Sequence, residues 1–152
     1  MKSLRILTLA TTALLLAPAL SAADFGVRAG RFNDAGEEFV GVEALFDIGA
    51  ININPNIEYS LQDDVTAGTV NLDVTYDVVS IGNITPYIGA GVGLAYFDDI
   101  DTHTDILGNL IGGVSFDLEF LKPYAQLKYF RVLENEEGEA ADDIALTIGL
   151  RF

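Results

Sequence analysis

The run Ile51-Asn-Ile-Asn-Pro-Asn-Ile-Glu-Tyr-Ser-Leu61 alternates apolar and polar residues without a break. Ile51, Ile53, Pro55, Ile57, Tyr59 and Leu61 share one face; Asn52, Asn54, Asn56, Glu58 and Ser60 share the other. Successive side chains of a strand point to opposite sides, so a period of two predicts β structure. Working outward, Val70, Leu72, Val74, Tyr76 and Val78 alternate with Thr69, Asn71, Asp73, Thr75 and Asp77. At the far end Ile144, Leu146, Ile148, Leu150 and Phe152 alternate with Ala145, Thr147, Gly149 and Arg151. The whole pattern predicts eight strands near 24–32, 38–47, 50–61, 67–78, 86–97, 105–118, 122–133 and 142–152. Each connection is short enough for an up-and-down meander. Two places resist the pattern. Pro55 predicts a local kink, because proline is confined to strand edges and bulges. Leu107 and Ile111 fall on the nominally polar face of the sixth strand.

Alternation suits a soluble sandwich as well as a membrane barrel, so one face must be assigned to the inside. Gly26, Gly30, Gly41, Gly89, Gly91, Gly93, Gly113 and Gly149 share the polar face, and only Gly108 and Gly112 join the apolar one. The interior of an eight-stranded barrel is just wide enough for side chains to fill, so small residues belong on its concave side. The apolar face then points outward, toward lipid. About ten residues per strand suffice for a tilted crossing. The outward aromatics sort to two ends: Phe25, Phe46, Tyr76, Phe116 and Phe152 at the periplasmic interface, Tyr59, Tyr96 and Tyr129 at the other. Amphipathic rings favour lipid headgroups. The expected fold is an all-β, eight-stranded antiparallel up-and-down transmembrane β-barrel.

Residues 1–23 read as a secretory signal peptide. Lys2 and Arg5 precede an apolar stretch from Ile6 to Leu16, and Ser21-Ala22-Ala23 offers small residues for cleavage after Ala23. That stretch is shorter than the roughly 20 residues of a spanning helix. The barrel domain is expected over 24–152. The formal net charge is −15, and losing Lys2 and Arg5 makes it more negative. Such a chain repels nucleic acid. With no cysteine, zinc–thiolate sites and thiol nucleophiles are excluded.

Three stretches carry a resemblance. The start Phe25-Gly-Val-Arg-Ala-Gly30, the run Pro86-Tyr-Ile-Gly-Ala-Gly-Val-Gly93 and the closing Ile144-Ala-Leu-Thr-Ile-Gly-Leu-Arg-Phe152 resemble the small porin-family barrels of the OmpA, OmpX and opacity-protein type. The resemblance implies the bacterial outer membrane. It also implies that Ile148, Leu150 and Phe152 form the signal read by the outer-membrane assembly machinery. Adhesins, anchors, small pores and some enzymes share this architecture, so function must come from the residues. The chain ends at Phe152 and the external loops are short, so neither peptidoglycan binding nor opacity-type adhesion is expected.

Inside the barrel, Arg28, Lys128 and Arg151 are expected with Glu43, Glu58, Asp73, Asp77 and Asp117. In so narrow a space these charges must pair. They either plug the lumen, helped by inward Tyr87, Phe97, Tyr124 and Phe130, or line a narrow ion path. On the external side, Asp34, Glu37, Glu38, Asp63, Asp64, Asp98, Asp99, Asp101, Asp105, Glu134, Glu136, Glu137, Glu139, Asp142 and Asp143 gather most of the chain's 23 carboxylates. They form a solvated rim or capture divalent cations, with Asp98, Asp99, Asp101, Glu136, Glu137 and Glu139 as the best ligands. Arg31 and Arg131 face outward at that rim and suit lipopolysaccharide phosphates. Together with Tyr59, Tyr76, Tyr96 and Tyr129 they make up the expected lipid interface. His103 is the one histidine, with no serine beside it; Ser60, near the end of the third strand, is the candidate partner for a lipid-modifying enzyme. The reading is a non-enzymatic structural or surface-binding barrel without a cofactor. A narrow pore for small solutes or ions is the alternative, and a lipid-A-modifying enzyme comes third.

Overall fold

A computed structural model describes residues 23–61, 66–98, 103–134 and 142–152. Apart from Ala23, the expected signal segment lies outside the described residues. The elements are β1 (Ala23–Phe32), β2 (Glu38–Ile48), β3 (Ile51–Ser60), β4 (Thr66–Asp77), β5 (Ile84–Asp98), β6 (His103–Phe116), β7 (Lys122–Glu134) and β8 (Asp142–Arg151). Each strand pairs antiparallel with the next in sequence, and β8 pairs with β1 to close an eight-stranded barrel. The architecture expected from the alternation is the one observed.

Register fixes the shape. Following paired residues around the wall from Ala23 leads through Phe46, Ile53, Val74, Ala90, Leu110, Tyr129 and Ile144. The path returns to β1 at Asn33, whose N–H donates to the Ile144 carbonyl at 2.8 Å. The level has climbed the full length of β1, a stagger that closure achieves by tilting the strands, typically by about 35–45°. With only eight strands the lumen stays narrow enough to be filled by a column of interlocking side chains.

Glycines make that interlocking possible. Gly113 pairs with Tyr87 and Gly149 with Tyr124. A Cβ at Gly113 or Gly149 would meet the tyrosine ring itself. The same rule explains Leu107 and Ile111. Both are buried, 7% and 6% exposed, and they lie opposite Gly93 and Gly89. They fill the lumen where β5 leaves room, so β6 keeps its strand phase and the apparent anomaly is a packing requirement.

Pro55 interrupts the β2–β3 ladder locally. Register with β2 is the same on both sides of it, but the pairs that would join Ala44 to Pro55 and Leu45 to Asn54 are missing. Proline has no N–H to give. Asn54 Nδ2 instead donates to the Ala44 carbonyl at 3.1 Å. The register shift falls elsewhere, between Ile106 and Leu107 on the β6–β7 ladder, where Leu133 is the extra residue.

The outer wall is apolar around the whole circumference. Val27, Val42, Ile57, Val70, Leu94, Leu110, Leu127 and Ile148, one from each of the eight strands, are all half exposed or more. A soluble monomer rarely exposes a contiguous apolar patch above a few hundred Å². A closed belt of this kind is built for lipid.

Candidate functional site

Six ionised side chains meet in the lumen, each at the inward phase of its strand: Arg28 on β1, Glu43 on β2, Glu58 on β3, Asp73 on β4, Lys128 on β7 and Arg151 on β8. All are buried, and three are cationic and three anionic. Arg151 Nε donates to Glu43 Oε1 at 2.9 Å. Arg28 lies between Glu43 at 3.5 Å and Glu58 at 3.3 Å. Lys128 Nζ is 3.9 Å from Glu58 and donates to Asp73 at 2.7 Å. The sequence Arg151, Glu43, Arg28, Glu58, Lys128, Asp73 is thus a chain of alternating sign. Each interior member touches two opposite charges, which is how buried ions offset their lost hydration.

Neutral amides and a hydroxyl bond the carboxylates further. Asn54 donates to Glu43 at 2.9 Å, Asn56 to Asp73 at 2.9 Å and Asn109 to Asp73 at 3.1 Å. Thr69 donates to Glu58 at 3.0 Å, and Asn71 links to Asn56 at 3.0 Å. Below, the Arg151 guanidinium lies 4.0 Å from the centre of the Tyr124 ring. Tyr87 donates to Gln126 at 3.2 Å.

Two expected members of the set lie elsewhere. Asp117 is exposed; β6 ends at Phe116, so the backbone has left the wall before this residue. Asp77 is half-buried at the lower mouth, where Asn52 donates to it at 3.0 Å. Without these two, the lumen's expected acidic excess becomes a balance. The sequence reading also passed over several partners. The asparagines lay on the polar face without a role, although amides among charges are the donors that carboxylates need. Lys122 and Asp24 form an ion pair at 2.6 Å across the lower mouth; both carry the inward phase, and that phase was the available signal.

Each mouth holds a cavity. The lower one, about 170 Å³, is bordered by Asp47, Asp77, Asp117 and Lys122. The upper one, about 370 Å³, is lined by Phe32, Phe39, Leu107, Phe130 and Val132 under a rim of carboxylates. Phe32 lies 5.0 Å from Phe39 and 5.6 Å from Phe130, ring centre to ring centre.

Arg31 and Arg131 are exposed and lie opposite Glu38 and Asp142. Tyr59, Tyr76 and Tyr96 are about half exposed on the outer wall. Tyr129 donates to Asp142 at 3.0 Å. Ile148 is exposed and Leu150 half-buried. Phe152 exchanges backbone hydrogen bonds with Phe25 at 2.8 and 3.1 Å, fastening the seam. Ser60 faces the lumen and donates to Glu37 at 3.1 Å, turned away from lipid. The side chains of Phe97, Asp98, His103 and Glu134 lie outside the described residues, as do Asp63, Asp64, Asp99, Asp101, Glu136, Glu137 and Glu139. Among the described residues no three acidic or imidazole groups converge on a metal site.

An eight-stranded, all-antiparallel closed barrel with an apolar belt defines the outer-membrane type. A surface-antigen family model matches residues 35–144, and the chain belongs to that family. No curated protein matches the sequence. Among solved structures, Neisserial surface protein A superposes with a TM-score of 0.69 at 16% identity, over 86% of this chain and 96% of that one. The N-terminal β-barrel domain of Pseudomonas aeruginosa OprF gives 0.69 at 17% identity, over 86% and 96%. A major outer membrane protein from Thermus thermophilus gives 0.54 at 13% identity, over 86% and 99%. At these identities the likeness is one of fold.

Proposed function

We propose that this chain is a non-enzymatic wall element of the bacterial outer membrane, exported by its signal segment, with a sealed lumen and an acidic external face. The alternating chain of buried charges carries this reading. It ties five of the strands into one electrostatic unit through Arg28, Glu43, Glu58, Lys128 and Arg151 and, with Asp73, a sixth. A gated path needs charges that can part cheaply, whereas parting a pair here costs buried ions a counter-charge that no bulk water replaces. Reconstituted in a planar bilayer, the protein is expected to give no conductance steps above background. Steady, reproducible steps would overturn the sealed reading.

The narrow-pore reading has one observation in its favour. Arg28 Nε and both terminal nitrogens, Gln126 Nε2 and Thr147 Oγ1 are buried without a hydrogen-bond partner in the protein. A thread of water past Arg28 would satisfy them. The same conductance measurement separates the two readings. For a lipid-modifying enzyme, the lumen-facing Ser60 is a poor nucleophile toward a substrate held outside the wall.

At the outer surface, Arg31 and Arg131 are proposed to hold lipopolysaccharide phosphates, and the carboxylate rim to be solvated or bridged by divalent cations. Replacing both arginines with glutamine is expected to reduce lipopolysaccharide co-purification; unchanged lipid content would remove that contact. The seam-closing Phe152, with Leu150 and Ile148, is proposed as the assembly signal.

A further inference from the structure

Most of the lumen is filled by large polar side chains set against glycines, but its outermost third is built differently. There the buried Ala67 and Ala95 stand on the wall and line one hollow with Phe39, Leu107 and Phe130. Alanines in place of larger residues leave the cavity of about 370 Å³. That volume lies in the range of small-ligand sites, which are apolar hollows with a few placed polar groups. Beside the Ser60 and Thr69 hydroxyls, the charged groups here are of one kind. Asp34, Glu37, Asp142 and Asp143 border the opening, and Glu58 forms part of the floor. No lysine or arginine is among the described lining residues. Glu58 is 2% exposed, and its Oε1 accepts no hydrogen bond, although Arg28 Nε is 3.3 Å away.

We propose that this mouth binds a small organic ammonium with an apolar body: the body rests on the phenylalanines, and the cationic head meets the carboxylates. An anion of the same shape is repelled by the rim. A bare ammonium gains nothing from the apolar floor. Burial of the apolar body supplies affinity, and the charge supplies selection. The site lies above the alternating charge chain. A conducting lumen would therefore overturn the sealed reading and leave this one standing.

The test uses the folded protein in lipid nanodiscs, titrated calorimetrically with 2-phenylethylammonium after subtraction of empty nanodiscs. Saturable one-to-one binding is expected. Phenylacetate, with the ring but the opposite charge, and ethylammonium, with the head but no ring, should each bind at least tenfold more weakly. Ala95→Leu and Ala67→Leu fill the hollow from different strands and should each weaken binding tenfold or more. Glu37→Gln with Asp34→Asn should weaken it three- to tenfold. Heat-dependent gel mobility verifies that every variant is folded. The proposal is overturned by an absence of saturable binding, by equal affinity for phenylacetate, or by undiminished binding in a folded cavity-filled variant.

Discussion

At the residue scale, stability of the lumen depends on which charge is removed. Asp73 ends the alternating chain and is 1% exposed. It receives Lys128, Asn56 and Asn109 together. Asp73→Asn cancels the charge and places an amide against these donors. The expected loss is about 3–5 kcal/mol, the usual consequence of breaking one side of a buried pair. Adding Lys128→Met should recover part of that loss, because no unpaired ammonium then remains. Urea unfolding from lipid vesicles, followed by circular dichroism, checks both; equal stability of single and wild-type proteins would rule out the pairing. A second residue is strained by its backbone. The two tight turns Ile81–Ile84 and Leu118–Leu121 are both closed by an isolated bridge. Their first central residues, Gly82 and Glu119, have φ of 63° and 64°. Glycine adopts this region freely, whereas for other residues it costs about 1–2 kcal/mol. Glu119→Gly is expected to raise stability by about 1 kcal/mol, after the greater unfolded-state freedom of glycine is allowed for. The same urea titration reads it as a higher midpoint.

At the scale of the strand, the β2–β3 ladder shows how a side chain repairs a missing backbone donor. Asn54 serves Ala44 and Glu43 at once. Asn54→Ala should therefore destabilise by about 1–3 kcal/mol through unsatisfied buried acceptors. Combined with Pro55→Thr, which returns an N–H to the ladder, the loss should shrink; a double variant no more stable than Asn54→Ala would show that the Ala44 carbonyl is not the acceptor that matters. Strands of this kind were open to reading because two-residue alternation survives wherever one face meets lipid and the other meets polar side chains. The β6 stretch read poorly for the same reason in reverse: Leu107 and Ile111 answer to glycines on β5, a relation of register that no single strand displays. Pairing within the lumen was equally hidden. Phase placed Arg28, Glu43 and Glu58 inside, but their order of alternating sign depends on stagger, and strand phase misplaced Asp117 because the wall ends at Phe116. The upper cavity had no sequence signal at all, since alanine at an inward phase is as ordinary as glycine until its height in the barrel is known.

Over the whole molecule, charge is arranged in three levels: a balanced lumen between two acidic mouths. Asp34, Glu37, Asp142 and Asp143 border the upper cavity. Asp47, Asp77 and Asp117 border the lower one, with Asp24 held by Lys122 beside them. An ion approaching from either side meets a negative potential before it meets the barrier, and such mouths concentrate cations and exclude anions. In a barrel opened by mutation, selectivity is therefore expected to follow the ends. Arg28 is a large middle residue whose removal still leaves each neighbouring carboxylate one cation. In Arg28→Ala, Glu43 keeps Arg151 at 2.9 Å, and Glu58 keeps Lys128 at 3.9 Å. This variant is expected to remain folded by heat-dependent mobility and to show small conductance steps in a planar bilayer. Under a potassium chloride gradient its reversal potential should move toward the potassium equilibrium value. A shift toward the chloride value would mean that the two arginine- and lysine-bearing strands near the lumen, β7 and β8, dominate the field, and the assignment of selectivity to the acidic mouths would fall.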